Sequence, residues 1–153
     1  MQDIIIQPIA FVHNSRESLE DDFWGEVVSE IELAEQTPTD SLQGIEDFSH
    51  IEIIFHFHLA DKPIVYSRHP RGNKGWPNVG IFAQRGKDRP NKIGITVAEL
   101  IKKEGRKLFV KHLDAIDGTP VIDIKPVMKE FLINPDSIKQ PIWATELMSE
   151  YWK

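Results

Sequence analysis

The chain has 153 residues, 41% hydrophobic and 27% charged, which suits one domain with a buried core. Cysteine is absent, excluding disulfides, thiolate metal sites and a catalytic thiol. The net charge of −6 is divided unevenly: residues 1–61 hold fourteen acids and one base (Arg16), whereas residues 68–92 hold seven bases and one acid (Asp88), so a basic face or loop on an acidic body is expected.

The first segment, "MQDIIIQPIAFVH", predicts a strand bent or edge-placed at Pro8. It has no basic leader and its apolar run breaks at Gln7 and Pro8, so no signal peptide is expected. "RESLEDDFWG" is an acidic connection ending on a turn glycine. "EVVSEIELA" alternates, with Val27, Ser29, Ile31 and Leu33 on one face. "TPTDSLQGIEDF" predicts a turn and a short helical piece. "SHIEIIFHFHLAD" alternates more cleanly, with Ile51, Ile53, Phe55, Phe57 and Leu59 opposite His50, Glu52, Ile54, His56 and His58. The basic stretch "KPIVYSRHPRGNKGWPNVG" is long and rich in Gly, Pro and Asn, a pattern of functional loops. "VGIFAQ" and "IGITVAELI" predict strands on either side of "RGKDRPNK". "KLFVKHLDAI" predicts another strand, "DGTP" a tight turn and "VIDIKPV" a strand ended by Pro126. An amphipathic helix is expected from about Trp143.

Many short alternating strands without regular helical crossovers predict a mainly β, single-domain antiparallel β-barrel over residues 1–133. Short helices and a C-terminal helical tail, 134–153, packed on the barrel or on a dimer partner, complete the expected architecture. No segment approaches the ~18 apolar residues of a membrane span. With no cysteine and no leader, a cytoplasmic protein is expected.

Three places carry candidate chemistry. Glu52, His56 and His58 would share a strand face and could hold zinc or iron, but alternation alone puts polar residues on an outer face, and no metal is expected. Asp114, Asp117 and Asp123 lie near strand ends; the Asp117-Gly118 turn explains the second, while Asp123 and Lys125 could neutralise each other or face a ligand. "RGKDRPNKIG" is neither a Walker A loop nor a dinucleotide fingerprint. Its arginines could clamp phosphate or carboxylate, and Trp76 and Tyr66 could stack on bases, or Trp76 could simply anchor the loop.

The stretches "GIEDFSHIEIIFHFH", "GIFAQRGKDRPNKIGIT" and "LDAIDGTPVIDIKP" together resemble the TsaA/TrmO-like family, across roughly residues 4–130. The resemblance implies a single-sheet β-barrel acting as a homodimer, and S-adenosylmethionine-dependent methylation of tRNA at N6 of threonylcarbamoyladenosine beside the anticodon. It implies that His58, Leu59, Arg85, Ile95, Lys111, His112, Leu113 and Asp114 contact the cofactor. Two departures stand out: the early "PRQ" triplet of many members is missing, with Phe23 or its neighbours in that place, and the usual "RSP.RPN" reads "RGKDRPN". Asp114 and His58 are the candidates for a general base, because a urea-like nitrogen must lose a proton to attack. Arg71, Lys74, Lys87, Arg89 and Lys92 are the expected RNA contacts, with Arg85 or Arg89 holding the threonyl carboxylate. The alternatives are methylation of another nucleoside or small molecule, and a non-catalytic barrel that binds RNA or a nucleotide.

Overall fold

The computed structural model describes all residues, Met1–Lys153. Its strands are β1 (Ala10–His13), β2 (Val28–Leu33), β3 (His50–His56), β4 (Ser67–Arg68), β5 (Val79–Gly80), β6 (Ile93–Glu104), β7 (Lys107–Lys111) and β8 (Pro120–Pro126). Six of them close a barrel in the order β1-β2-β7-β6-β3-β8, and every pairing is antiparallel. β4 and β5 form a separate two-stranded ribbon. One α-helix, α1 (Ile142–Leu147), lies in the tail, and short 3₁₀ turns fill the connections.

Alternation builds the core. Ser29, Ile31 and Leu33 of β2 and Ile51, Ile53 and Phe55 of β3 are buried while the strand residues between them are not. The same period in β6 turns Gly94, Thr96 and Ala98 inward and leaves Ile93, Ile95 and Val97 outward. Small inward residues on β6 make room for Phe55: a Cβ on Gly94 would lie 2.6 Å from the Phe55 ring. Leu113 and Ala115, beyond the end of β7, are as buried as the strand residues and plug one end of the barrel.

Several expectations need correction. The first strand starts at Ala10, because Pro8 has no N–H for a ladder and residues 1–7 remain exposed. "VGIFAQ" is a strand only at Val79–Gly80; Ile81–Ala83 closes into a 3₁₀ turn, with Ile81 buried by loop packing. β7 stops at Lys111, and His112 turns the chain with φ 60°. β3 stops at His56, so His58 leaves the strand and shares no ladder face with Glu52 and His56. Gly118, at φ 78°, makes the expected turn before β8.

Candidate functional site

The strand register defines one end of the barrel, where β1, β3 and β7 finish and β2, β6 and β8 begin. His13 lies opposite Glu30, Val28 opposite Lys111, His56 opposite Ile93, and Phe11 opposite Pro120. The key feature there is a fork. β6 pairs with β3 from Ile93 to Glu99, but with β7 only from Glu99 onward. One edge of Ile93–Ala98 therefore has no strand partner, and its backbone groups need others. His112 turns the β7 continuation away at this point. The Arg85 guanidinium donates to the Ile95 carbonyl at 2.7 Å, and the Thr96 hydroxyl donates to Asp114 Oδ1. Asp114 Oδ2 accepts from the Tyr151 hydroxyl.

Four residues named from the resemblance thus meet at the fork: Arg85, Ile95, His112 and Asp114. Arg85 reaches it from a loop rather than from a strand end. Leu113 is fully buried in the core and is not exposed at the fork. Lys111 is half-buried at the last rung of β7. Phe23, at φ 67° and 57% exposed, projects from the acidic loop, and its N–H donates to the Glu150 carbonyl. Arg16, the lone base of the acidic half, holds that loop: its guanidinium donates to the carbonyls of Glu20, Asp22 and Phe23 and stacks 4.0 Å over the Trp24 ring.

His58 and Leu59 lie in the turn after β3 at the same barrel end. Leu59 is 45% exposed. Burial pushes the His58 imidazole below its ordinary value, His56 adds to the shift, and Asp117 opposes it. Its Nδ1 is buried without a hydrogen-bond partner. No three His, Asp or Glu side chains gather in a metal-holding group.

The basic loop divides into engaged and unengaged charges. Arg68 pairs with buried Asp88 at 2.9 Å. Arg71 grips Asp22 through two hydrogen bonds, at 2.8 and 3.1 Å. Arg89 donates to the Gln84 and Gly86 carbonyls, and Lys92 to that of Ala60. Lys74 and Lys87 bond to no protein group. Trp76 donates to Glu146 of α1 at 2.7 Å, which ties the loop to the tail. Tyr66 is 70% exposed. Asp123 binds Lys125 at 3.0 Å and lines a cavity of about 360 Å³ at the opposite barrel end, where it is the one charged lining residue.

Sequence reading missed Thr96, Tyr151 and Arg16. A single base among fourteen acids was the available signal for Arg16. Thr96 and Tyr151 had no local signal, since their partner lies 18 and 37 residues away.

A closed antiparallel barrel with its polar fork at one end, instead of a doubly wound sheet, defines the class of protein. The chain belongs to the tRNA-methyltransferase O N-terminal domain family, which it matches over residues 19–131. It is 40% identical over 109 residues to the human tRNA (adenine(37)-N6)-methyltransferase, covering 69% of this chain and 24% of that protein. It is 42% identical over 94 residues to a Pyrococcus abyssi protein named as a probable S-adenosyl-L-methionine-binding protein, covering 61% of this chain and 49% of that one. The crystal structure of TrmO from Pseudomonas aeruginosa superposes with a TM-score of 0.70 at 26% identity, covering 92% of this chain and 64% of the other. The chain thus spans about a quarter to a half of these curated relatives. The family and the barrel expected from the three sequence stretches are both borne out.

Proposed function

We propose that this chain is an S-adenosylmethionine-dependent methyltransferase acting on tRNA, at N6 of threonylcarbamoyladenosine beside the anticodon. The observation that carries the reading is the fork, where Asp114, Arg85 and an unpaired edge of β6 converge. Its donor and acceptor set fits an amino-acid nucleoside. A carboxylate suits ribose hydroxyls or an ammonium, open backbone groups suit an adenine edge, and the guanidinium suits a carboxylate. S-adenosylmethionine supplies the electrophilic methyl group.

The chain's own work is placement and proton handling. Asp114 serves as anchor, because Thr96 and Tyr151 fix both of its oxygens. His58 serves as the proton acceptor. It lies in the turn after β3 at the same barrel end, and an uncharged imidazole can take a proton from an attacking nitrogen. Lys74 and Lys87 are best placed to meet phosphates. The homodimer is supported by the outward apolar row Ile93, Ile95 and Val97, which suits a protein surface. A cytoplasmic setting agrees with the absence of cysteine, and no helix is long and apolar enough to cross a membrane.

The test is mass spectrometry of tRNA nucleosides after incubation with the chain and S-adenosylmethionine. The expected product is threonylcarbamoyladenosine heavier by one methyl group. A methyl gain on a different nucleoside would overturn the substrate assignment, and no gain anywhere would overturn the activity.

A further inference from the structure

Residues 150–152 return from α1 to the fork and pair with the acidic loop. Phe23 N–H donates to the Glu150 carbonyl at 3.1 Å and Trp24 N–H to the Tyr151 carbonyl at 2.8 Å. A Cβ on Gly25 would run into the Trp152 carbonyl oxygen, so the glycine permits this close approach. The Trp152 indole meets His112 edge-on at 5.6 Å and Tyr151 at 5.0 Å. Between these contacts the Tyr151 hydroxyl reaches Asp114.

We propose that Tyr151 is a positioning residue for the methyl-donor site, and that with Thr96 it clamps Asp114 in the orientation that receives the ligand. This assignment rests on the fork being that site. An ionised carboxylate offers about four acceptor positions. Thr96 takes one on Oδ1 and Tyr151 one on Oδ2, which leaves each oxygen able to accept once more from a ligand donor. Burial, followed by the Asp114 charge and hydrogen bond, pushes the Tyr151 phenol far above its ordinary value, against a smaller pull from Arg85. The phenol therefore stays protonated, and the bond keeps one direction, with Tyr151 donating and Asp114 accepting. Without this donor the Asp114 side chain regains rotamer freedom that ligand binding must then remove.

A residue that merely anchors the tail would behave differently. Tyr151→Phe keeps the ring and its packing and deletes only the donor. Calorimetry with S-adenosylmethionine on the full chain should show affinity lower by about three- to tenfold, the cost of immobilising one freed side chain on binding. The decisive readout is a double-mutant cycle with Asp114→Asn. If Tyr151 acts through Asp114, the Tyr151→Phe effect shrinks towards nothing in the Asp114→Asn background; a packing role would leave it undiminished. Should Tyr151→Phe fail to fold, Thr96→Val removes the other donor and carries the same expectation. Unchanged affinity in the folded single variant, or an undiminished effect in the cycle, would overturn the assignment. A wild-type chain that binds no S-adenosylmethionine at all would instead remove the proposed site itself, and Tyr151's role with it.

Discussion

Burial holds the His58 imidazole below its ordinary value of 6.5, helped by His56 and opposed by Asp117. The direction has a consequence for stability. A base whose folded-state value is depressed binds its proton more readily when unfolded. Its contribution is therefore intact above about 6.5 and is lost as pH falls towards the folded value. His58→Gln removes the titration and leaves the turn. Denaturant unfolding at several pH values should show the variant losing less stability than wild type between roughly pH 7 and pH 5. Parallel pH profiles would mean that His58 is not the group responsible. The residue scale was also where sequence reading went furthest astray. The pairing of His56 with His58 assumed one continuous strand, but the ladder ends at His56 and the His58 N–H turns back to the His56 carbonyl at 2.8 Å.

At the scale of elements, the buried residues of β2 and β3 were legible because a period of two puts every inward side chain into one core. The pattern failed where burial comes from loops. Ile81 is as buried as a strand residue, yet it sits in the 3₁₀ turn that directly follows β5, outside the barrel's core cluster, so apolar runs alone misplaced a strand there. The fork could not be read from β6 or β7 alone, because it depends on where their pairing stops. Gly94 shows the tightness of the barrel at that point: an added Cβ would lie 2.6 Å from the Phe55 ring and 2.9 Å from that of Phe57. Both rings already meet edge-to-face at 5.4 Å, leaving little room to retreat. Gly94→Ala should cost about 1–3 kcal/mol, the usual range for overpacking a core, as measured by urea unfolding. A loss under about 0.5 kcal/mol would show that the rings yield freely.

Over the whole molecule the charge division is in part an internal matter. Part of the basic loop neutralises the acidic half directly: Arg71 is held against Asp22 and also approaches Asp21, at 3.8 Å. Burial disfavours the Arg71 charge, but the hydrogen bonds and charge of Asp22 outweigh it and raise the group above its ordinary value. Much of what looked like an RNA magnet in sequence is thus an internal clamp that joins the loop, the acidic turn and, through Trp76 and Glu146, the tail. What remains for a polyanion is Lys74 and Lys87, the two lysines of this loop that bond to no protein group. On a chain of net charge −6 these unengaged lysines are the groups available to attract the proposed RNA substrate. Each phosphate contact on a single strand contributes about 0.7 to the slope of log affinity against log salt. The double variant Lys74→Ala/Lys87→Ala should therefore flatten that slope by about 1.4 for tRNA, followed by fluorescence anisotropy from roughly 50 to 200 mM salt. Arg71→Ala should leave the slope nearly unchanged, since its charge is already spent on Asp22. If Arg71 carries the slope and the two lysines do not, the clamp opens when RNA binds, and the division between engaged and unengaged charges has been drawn in the wrong place.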